Sequence, residues 1–399
     1  MGAASVGRER GAADRGNGRL RVTCCIDGLG QGGAQRQMSM LAVLLARRGY
    51  DVDVMTYRPA HFFGPVVQAA GVPIRRLPPS GRLQRAIAAR RVLGERRPDV
   101  VVAYLSGPGV YAELANLPRR RFGLIVSEFS VPGGIVPPAH WLRLAVHRLA
   151  DAVVTETEHN RRLLVRAAPW LADRAVVIRN GVDLREFRSA NRDDASSDRA
   201  AAGPTRVLVM AGYRLEKNPF GMLGAMEHLR RVAPGERVEL DWYGSTSSSD
   251  ARAGVHEALK SAVRTRGMED VFRLHDAVRD CAGLYRRASL VCLPSFFEGC
   301  SNVICEAGAS GVPMVVSDIG DNRAFVIDGV TGFLADAHAP ETIADAILRF
   351  HRLPSAAKRE MGRRARTHAE ALFDSTRFVD DYTSLIERVA VGRRQPRAG

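Results

Sequence analysis

Lysine is almost missing from this chain: Lys217, Lys260 and Lys358 are the only three among 58 basic side chains. No apolar run approaches the ~20 residues that a bilayer span needs, which excludes an integral membrane helix. Residues 1–19 lack the apolar stretch of a signal peptide, so they read as a disordered tail and the protein is expected in the cytoplasm. The six cysteines, Cys24, Cys25, Cys281, Cys292, Cys300 and Cys305, show no CxxC or other zinc spacing, which leaves reduced structural thiols. Aromatic residues make up 6% of the chain and none interleave with its basic stretches, so nucleic acid is not an expected partner. No internal repeat is present.

What is present suffices for two cores: 399 residues with 46% hydrophobic content. The net charge of +15 is uneven, because residues 1–187 carry 28 Arg against 15 acids while residues 188–399 carry 30 Lys plus Arg against 28 acids. Much of the excess lies in a helix over residues 82–97 and in Arg119-Arg120-Arg121, stretches suited to an anionic lipid surface as well as to plain solvation. Short β-branched runs alternate with helical periodicity from Arg21 onward. The sequence predicts two doubly wound α/β domains with parallel sheets, facing across a cleft. Residues 20–187 form the first, 188–204 (RSANRDDASSDRAAAGP) a linker and 205–374 the second, with a closing helix at 375–392.

The most telling segment runs from Pro294 to Ala307, PSFFEGCSNVICEA. It reads as a strand end, a Gly-containing turn and a helix start, placing Glu298 in the crevice and Glu306 about a turn inside the helix. The amides of Ser301, Asn302 and Val303 then face the crevice as an anion site, and a diphosphate flanked by two hydroxyl-binding carboxylates fits it, as in a sugar nucleotide. A glycosidase acid/base pair fits poorly, because eight helical residues separate the carboxylates by roughly 12 Å, whereas hydrolases use about 5–9.5 Å.

Two further segments follow first strands of their domains. Gly28-Leu29-Gly30-Gln31-Gly32-Gly33 matches GxGxxG, but Asp51 and Asp53 stand at the wrong end of the next strand to bind a ribose. Gly32 and Gly33, opening a helix, more plausibly aim backbone at phosphate. Asp51-Val52-Asp53 resembles a metal-binding DxD but reads as an exposed strand start, and no metal is expected. In Gly212-Tyr213-Arg214-Leu215-Glu216-Lys217-Asn218, two cations could clamp a diphosphate and neutralise it as it departs, work otherwise given to Mg²⁺. A lysine beside arginine in so lysine-poor a chain suggests that a compact point charge is wanted there.

The run from Leu290 through Leu334 strongly resembles the donor domain of retaining family-four glycosyltransferases of the GT-B fold. Asn180-Gly181-Val182-Asp183, Gly212–Asn218, the Gly28–Gln37 opening and the Phe373–Ile386 helix resemble the family's landmarks in the family's order. The resemblance implies that Glu306 holds ribose hydroxyls and Glu298 contacts the donor sugar, with Gly299 and Cys300 in the pocket turn. It further implies that Arg214 and Lys217 grip the diphosphate, that the amides of Ser301, Asn302, Val303, Gly32 and Gly33 cradle it, and that the backbone around His275–Val278 meets the base. No cofactor beyond the nucleotide-sugar donor is implied, and the implied acceptor is a saccharide; the basic first domain adds the expectation that it is lipid-linked at the inner face of the membrane. Many members place a histidine near the acceptor; Val102–Leu105 and Val126–Ser130 have none, and the Ser127-Glu128 pair makes Glu128 the acceptor-site candidate. His61, His140 and His159 read as structural or surface residues. A sugar-nucleotide epimerase on the same fold and a non-catalytic basic binding protein remain the alternatives.

Overall fold

A computed structural model describes residues 19–78, 81–129, 138–188, 203–245, 251–278 and 280–394. The expected tail, except Arg19, and residues 189–202 of the expected linker lie outside the described residues. The first sheet contains β1 (Arg21–Cys25), β2 (Asp51–Thr56), β3 (Ile74–Arg76), β4 (Val100–Tyr104), β5 (Gly123–Ser127), β6 (Ala152–Thr155) and β7 (Ala175–Val177). They are all parallel, in the order β3-β2-β1-β4-β5-β6-β7. Helices α1 (Gly33–Arg47), α2 (Gly64–Ala69), α3 (Arg82–Arg96), α4 (Ser106–Ala115), α5 (Pro138–Val146) and α6 (Glu158–Ala167) connect them.

The second sheet is parallel too. Its strands are β8 (Thr205–Met210), β9 (Val238–Gly244), β10 (Phe272–Asp276), β11 (Leu290–Leu293), β12 (Met314–Ser317) and β13 (Gly332–Ala335), in the order β10-β9-β8-β11-β12-β13. Around it lie α7 (Pro219–Val232), α8 (Ala251–Thr265), α9 (Cys281–Arg287), α10 (Asn302–Ala309), α11 (Asn322–Phe325), α12 (Pro340–His351) and α13 (Ser355–Phe373), and the chain closes with α14 (Ser375–Arg394). Strands β4, β5 and β11 are buried along their whole length, as continuous β-branched runs covered by helices on both faces must be.

Apolar spacing on α14 explains where it goes. Phe378, Val379, Tyr382, Leu385 and Ile386 recur at three- and four-residue intervals, and all are buried in the core of the first domain, with Val22, Val102 and Ile125. The Tyr382 hydroxyl meets that of Tyr104 on β4 at 2.7 Å. The chain thus crosses between domains twice, and the crossings run side by side: Val182 N–H donates to the Phe373 carbonyl at 2.8 Å and Ser375 N–H to the Val182 carbonyl at 3.2 Å.

Three expectations change. Strand β3 had no signal in the sequence, because it is three residues long and its two arginines are exposed. Asp53 is not on an exposed strand start: it is buried, accepting from Thr23 Oγ1 at 2.7 Å and pairing with Arg75 at 2.7 Å and Arg96 at 3.1 Å. Arg96, counted with the basic face of its helix, is mostly buried by that pairing, which also takes in Asp51 at 2.6 Å. A buried carboxylate with two guanidinium partners is a structural ion cluster, because its charge is already compensated.

Candidate active site

The carboxyl ends of both sheets meet at a cleft. On the second domain, β8 runs into Gly212–Lys217, and Asn218, in the left-handed region at φ 57°, caps α7 by accepting the Gly221 N–H at 3.1 Å. Strand β11 runs into the 294–301 turn, and Phe296 N–H donates to the Glu216 carbonyl at 2.9 Å, which binds the two loops together. Lys217 Nζ lies 2.5 Å from Glu298 Oε1, and Ser295 Oγ donates to the same oxygen at 2.6 Å. Both charged side chains are largely buried. An ammonium has three protons, so one spent on Glu298 leaves two for a ligand. Arg214 leans on Glu216 at 3.1 Å in a partly exposed pair, a contact weak enough to yield to phosphate.

Two helix N-termini converge here. Ser301 stands at the N-cap of α10 without a side-chain cap, and Gly32 holds the same place on α1. Asn302 joins them: its Nδ2 donates to the Gly33 carbonyl at 3.2 Å, and its Oδ1 accepts from Gln37 at 2.8 Å and Asn180 at 3.2 Å. Gln37 also exchanges two hydrogen bonds with the Gly181 backbone, at 2.9 and 3.0 Å. The positive ends of two helix dipoles and the Lys217 ammonium therefore point into one crevice, an arrangement suited to two adjacent phosphates.

Glu306 lies beyond it, buried on α10. Its Oε2 accepts from the Tyr285 hydroxyl at 2.9 Å and its Oε1 is ion-paired with Arg36, which reaches across the cleft from α1 and lies over the Phe187 ring at 5.4 Å. Burial raises the Glu306 carboxyl above the ordinary carboxylate range, against the pull of Arg36 and Tyr285.

The stretch expected to meet the base, His275–Val278, is already bonded within its own domain. His275 has its backbone carbonyl and N–H taken by the Tyr213 hydroxyl at 2.8 and 3.1 Å, while its ring stacks on Tyr243 at 4.3 Å and meets Asp241 at 2.6 Å. The Val278 carbonyl faces Cys281 Sγ at 3.8 Å. Cys300 is buried rather than lining an open pocket, with its sulfur 3.8 Å from that of Cys305. Val303 packs against the same apolar cluster, leaving its backbone to face the crevice. Gly299 touches the first domain, where an added Cβ would lie 2.6 Å from Glu156 Oε2.

Glu128 ends β5 but is enclosed. Arg143 of α5 approaches its Oε2 at 3.1 Å and His147 at 3.4 Å, and His147 also meets Glu113 at 2.6 Å. Burial lowers the basicity of His147, but hydrogen bonds to the two glutamates outweigh it and push the imidazolium up to about 9. His147, in the turn after α5, is thus a buried partner of both glutamates.

Comparison with known proteins fits this geometry. Residues 31–186 match the family described as Glycosyltransferase Family 4, and residues 205–352 match Glycosyl transferases group 1. The D-inositol 3-phosphate glycosyltransferase of Saccharomonospora viridis is 29% identical over 85% of both chains. D-inositol 3-phosphate glycosyltransferase 1 of Catenulispora acidiphila is 30% identical over 79% of this chain and 82% of its own. The chain belongs to the family 4 glycosyltransferases. Anabaena HepE, solved with UDP and glucose, superimposes with a TM-score of 0.79 at 17% identity, over 93% of this glycosyltransferase and 100% of HepE, and the shared fold is GT-B.

The resemblance carried by residues 290–334 is thereby borne out. Three charged residues that the structure places around the cleft were not singled out from the sequence: Arg36, Glu156 and His147. Arg36 sits beside the Gly32-Gly33 motif, a signal that was available. Glu156 and His147 have no motif around them, and their partners lie 144 and 34 positions away.

Proposed function

We propose that this glycosyltransferase moves a sugar from a nucleoside-diphosphate sugar to a hydroxyl of a saccharide or cyclitol acceptor, with retention of configuration and without a metal. The observation that carries the reading is the Lys217–Glu298 pair, 2.5 Å apart, beside two converging helix N-termini. In it, the diphosphate lies between the α1 and α10 N-termini with Lys217 and Arg214 on its oxygens. Glu298 orients the sugar and Glu306 takes the ribose. The bond from the anomeric carbon to the phosphate oxygen breaks as the acceptor oxygen bonds to that carbon on the same face. The acceptor's proton goes to the departing phosphate oxygen. Cations and amides held in place before the reaction stabilise the charge that develops there.

Two acceptors have support. The names of the relatives favour a phosphorylated inositol. The surface favours a lipid-linked glycan. Helix α3 exposes Leu83 at 75% and Ile87 at 61%, beside a groove of about 710 Å³ lined by Arg90, Arg91, Arg97 and Arg121. Near an anionic surface each such arginine contributes about 1 kcal/mol. No helix among the described residues is long and apolar enough to cross a membrane.

Nucleotide release from UDP-, GDP- and ADP-sugars, with and without EDTA, tests the donor site. We expect release from one donor to survive EDTA and to fall about 10²–10³-fold in Lys217→Ala and Glu298→Ala; full rates in both variants would mean that the site is elsewhere. Stimulation by D-inositol 3-phosphate would select the soluble acceptor. Co-sedimentation with anionic vesicles, weakened in Arg90→Gln/Arg91→Gln/Arg97→Gln, would support the lipid-linked one.

A further inference from the structure

At the end of β6, where the first domain meets the turn that carries Glu298, stands a carboxylic acid that the transfer chemistry above does not use. Glu156 is 9% exposed. Its Oε2 accepts the Cys300 N–H at 3.3 Å, across 144 residues of sequence, and Asn180 of the crossing segment supplies a second hydrogen bond. The turn comes so close that only glycine fits beside it: a Cβ on Gly299 would lie 2.6 Å from Glu156 Oε2 and 3.3 Å from Asn160 Nδ2. Asn160 Nδ2 in turn donates to the Phe129 carbonyl at 3.2 Å, so the contact is backed by the first domain.

Among the described residues, no cation answers this carboxyl. The titratable groups facing it are Glu298 on the turn, Cys305 on α10, Tyr104 on β4 and Tyr382 on α14, and each is an acid. Every other buried carboxylate of the cleft has a basic partner: Glu306 has Arg36, Glu298 has Lys217, and Glu128 has Arg143. An unpaired buried carboxylate costs several kcal/mol, so such a group keeps its proton instead.

We propose that Glu156 is a positioning residue of the transfer site, a neutral carboxyl that clamps the Glu298–Cys300 turn to the edge of the first sheet. The inference rests on the donor-site reading. Burial, together with the Glu298 charge and against the Cys300 and Asn180 hydrogen bonds, raises the Glu156 pKa to about 8. Above that pH the acid ionises beside Glu298 and the turn is pushed away from its seat.

Two measurements on the full chain test this. The first is the pH profile of kcat for donor consumption. Wild type should lose rate about tenfold per pH unit above about 8. Glu156→Gln keeps the shape and the neutral charge, so it should rescue the pH 7 rate to within a few-fold and abolish that alkaline limb. Glu156→Ala should lower kcat more than tenfold with little change in donor KM. An alkaline limb that persists in Glu156→Gln overturns the proposal, as does a wild-type kcat in Glu156→Ala. The second measurement needs no activity. The folded acid binds a proton that the unfolded one releases between its ordinary pKa of 4.5 and about 8, so its contribution to stability falls as pH rises through that window. Tm of Glu156→Gln minus that of wild type should therefore grow from pH 5 to pH 8. A difference flat in pH overturns the neutral carboxyl. A growing difference with no donor consumed by wild type overturns the donor-site reading and, with it, the positioning role.

Discussion

His147 is bonded to one glutamate of α4 and one just past the end of β5, and that pairing decides its charge. Its folded pKa of about 9 stands above the ordinary 6.5, so its stabilising contribution is complete below pH 6.5 and disappears as pH rises through 9. His147→Gln should accordingly lower Tm clearly at pH 6, and the deficit should shrink toward pH 9.5. A deficit independent of pH would assign the loss to packing instead. Glu113 is the partner that matters more, because its hydrogen bond is 2.6 Å against 3.4 Å for Glu128. Without the imidazolium, two buried carboxyl groups would face each other with Arg143 as the cation for both, and one of them would take up a proton.

Among the elements, the helices whose apolar spacing is regular were legible from sequence, as α1, α12 and α14 show. The Pro294–Ala307 turn was legible because a strand end, a glycine and a helix start follow one another within a few residues. Pairings across the cleft were not, since Arg36–Glu306 and Glu156–Cys300 join residues 270 and 144 positions apart and neither depends on local pattern. Burial of Asp53 was missed for a related reason: its cations come from β3 and α3, and a strand pattern gives the face of a side chain but not what covers it. Helix α14 supplies the test at this scale. Tyr382→Phe leaves the Tyr104 hydroxyl without its 2.7 Å partner and should cost about 1 kcal/mol in urea unfolding. Truncation after Asp374 strips six core side chains from the first domain, Ala390 among them, and should leave it unable to unfold cooperatively; an unchanged urea midpoint would mean that α14 is dispensable.

For the whole molecule, the joint between domains is where α1, the Asn180–Asp183 crossing and α14 touch. A Cβ on Gly181 would lie 2.8 Å from Phe378 and 2.9 Å from Met40, one on each of those helices. Gly181→Val should therefore cost about 1–3 kcal/mol by overpacking, read as a lower denaturation midpoint, and should lower turnover by changing how the domains meet. A variant with wild-type midpoint and turnover would show that the joint has slack. The positive charge follows the same division, with most of the excess on the first domain.

The route of α14 also sets an order of events during synthesis. The first domain's sheet is complete by residue 177, yet Phe378, Val379, Tyr382, Leu385 and Ile386 belong to its core. Those residues leave the ribosome after the entire second sheet has emerged. The usual amino-to-carboxyl sequence is reversed for completion: the second domain can finish folding while the first still waits, with an apolar groove along β4 and β5 that α14 later fills. A nascent chain stalled anywhere before residue 378 would present that groove to chaperones.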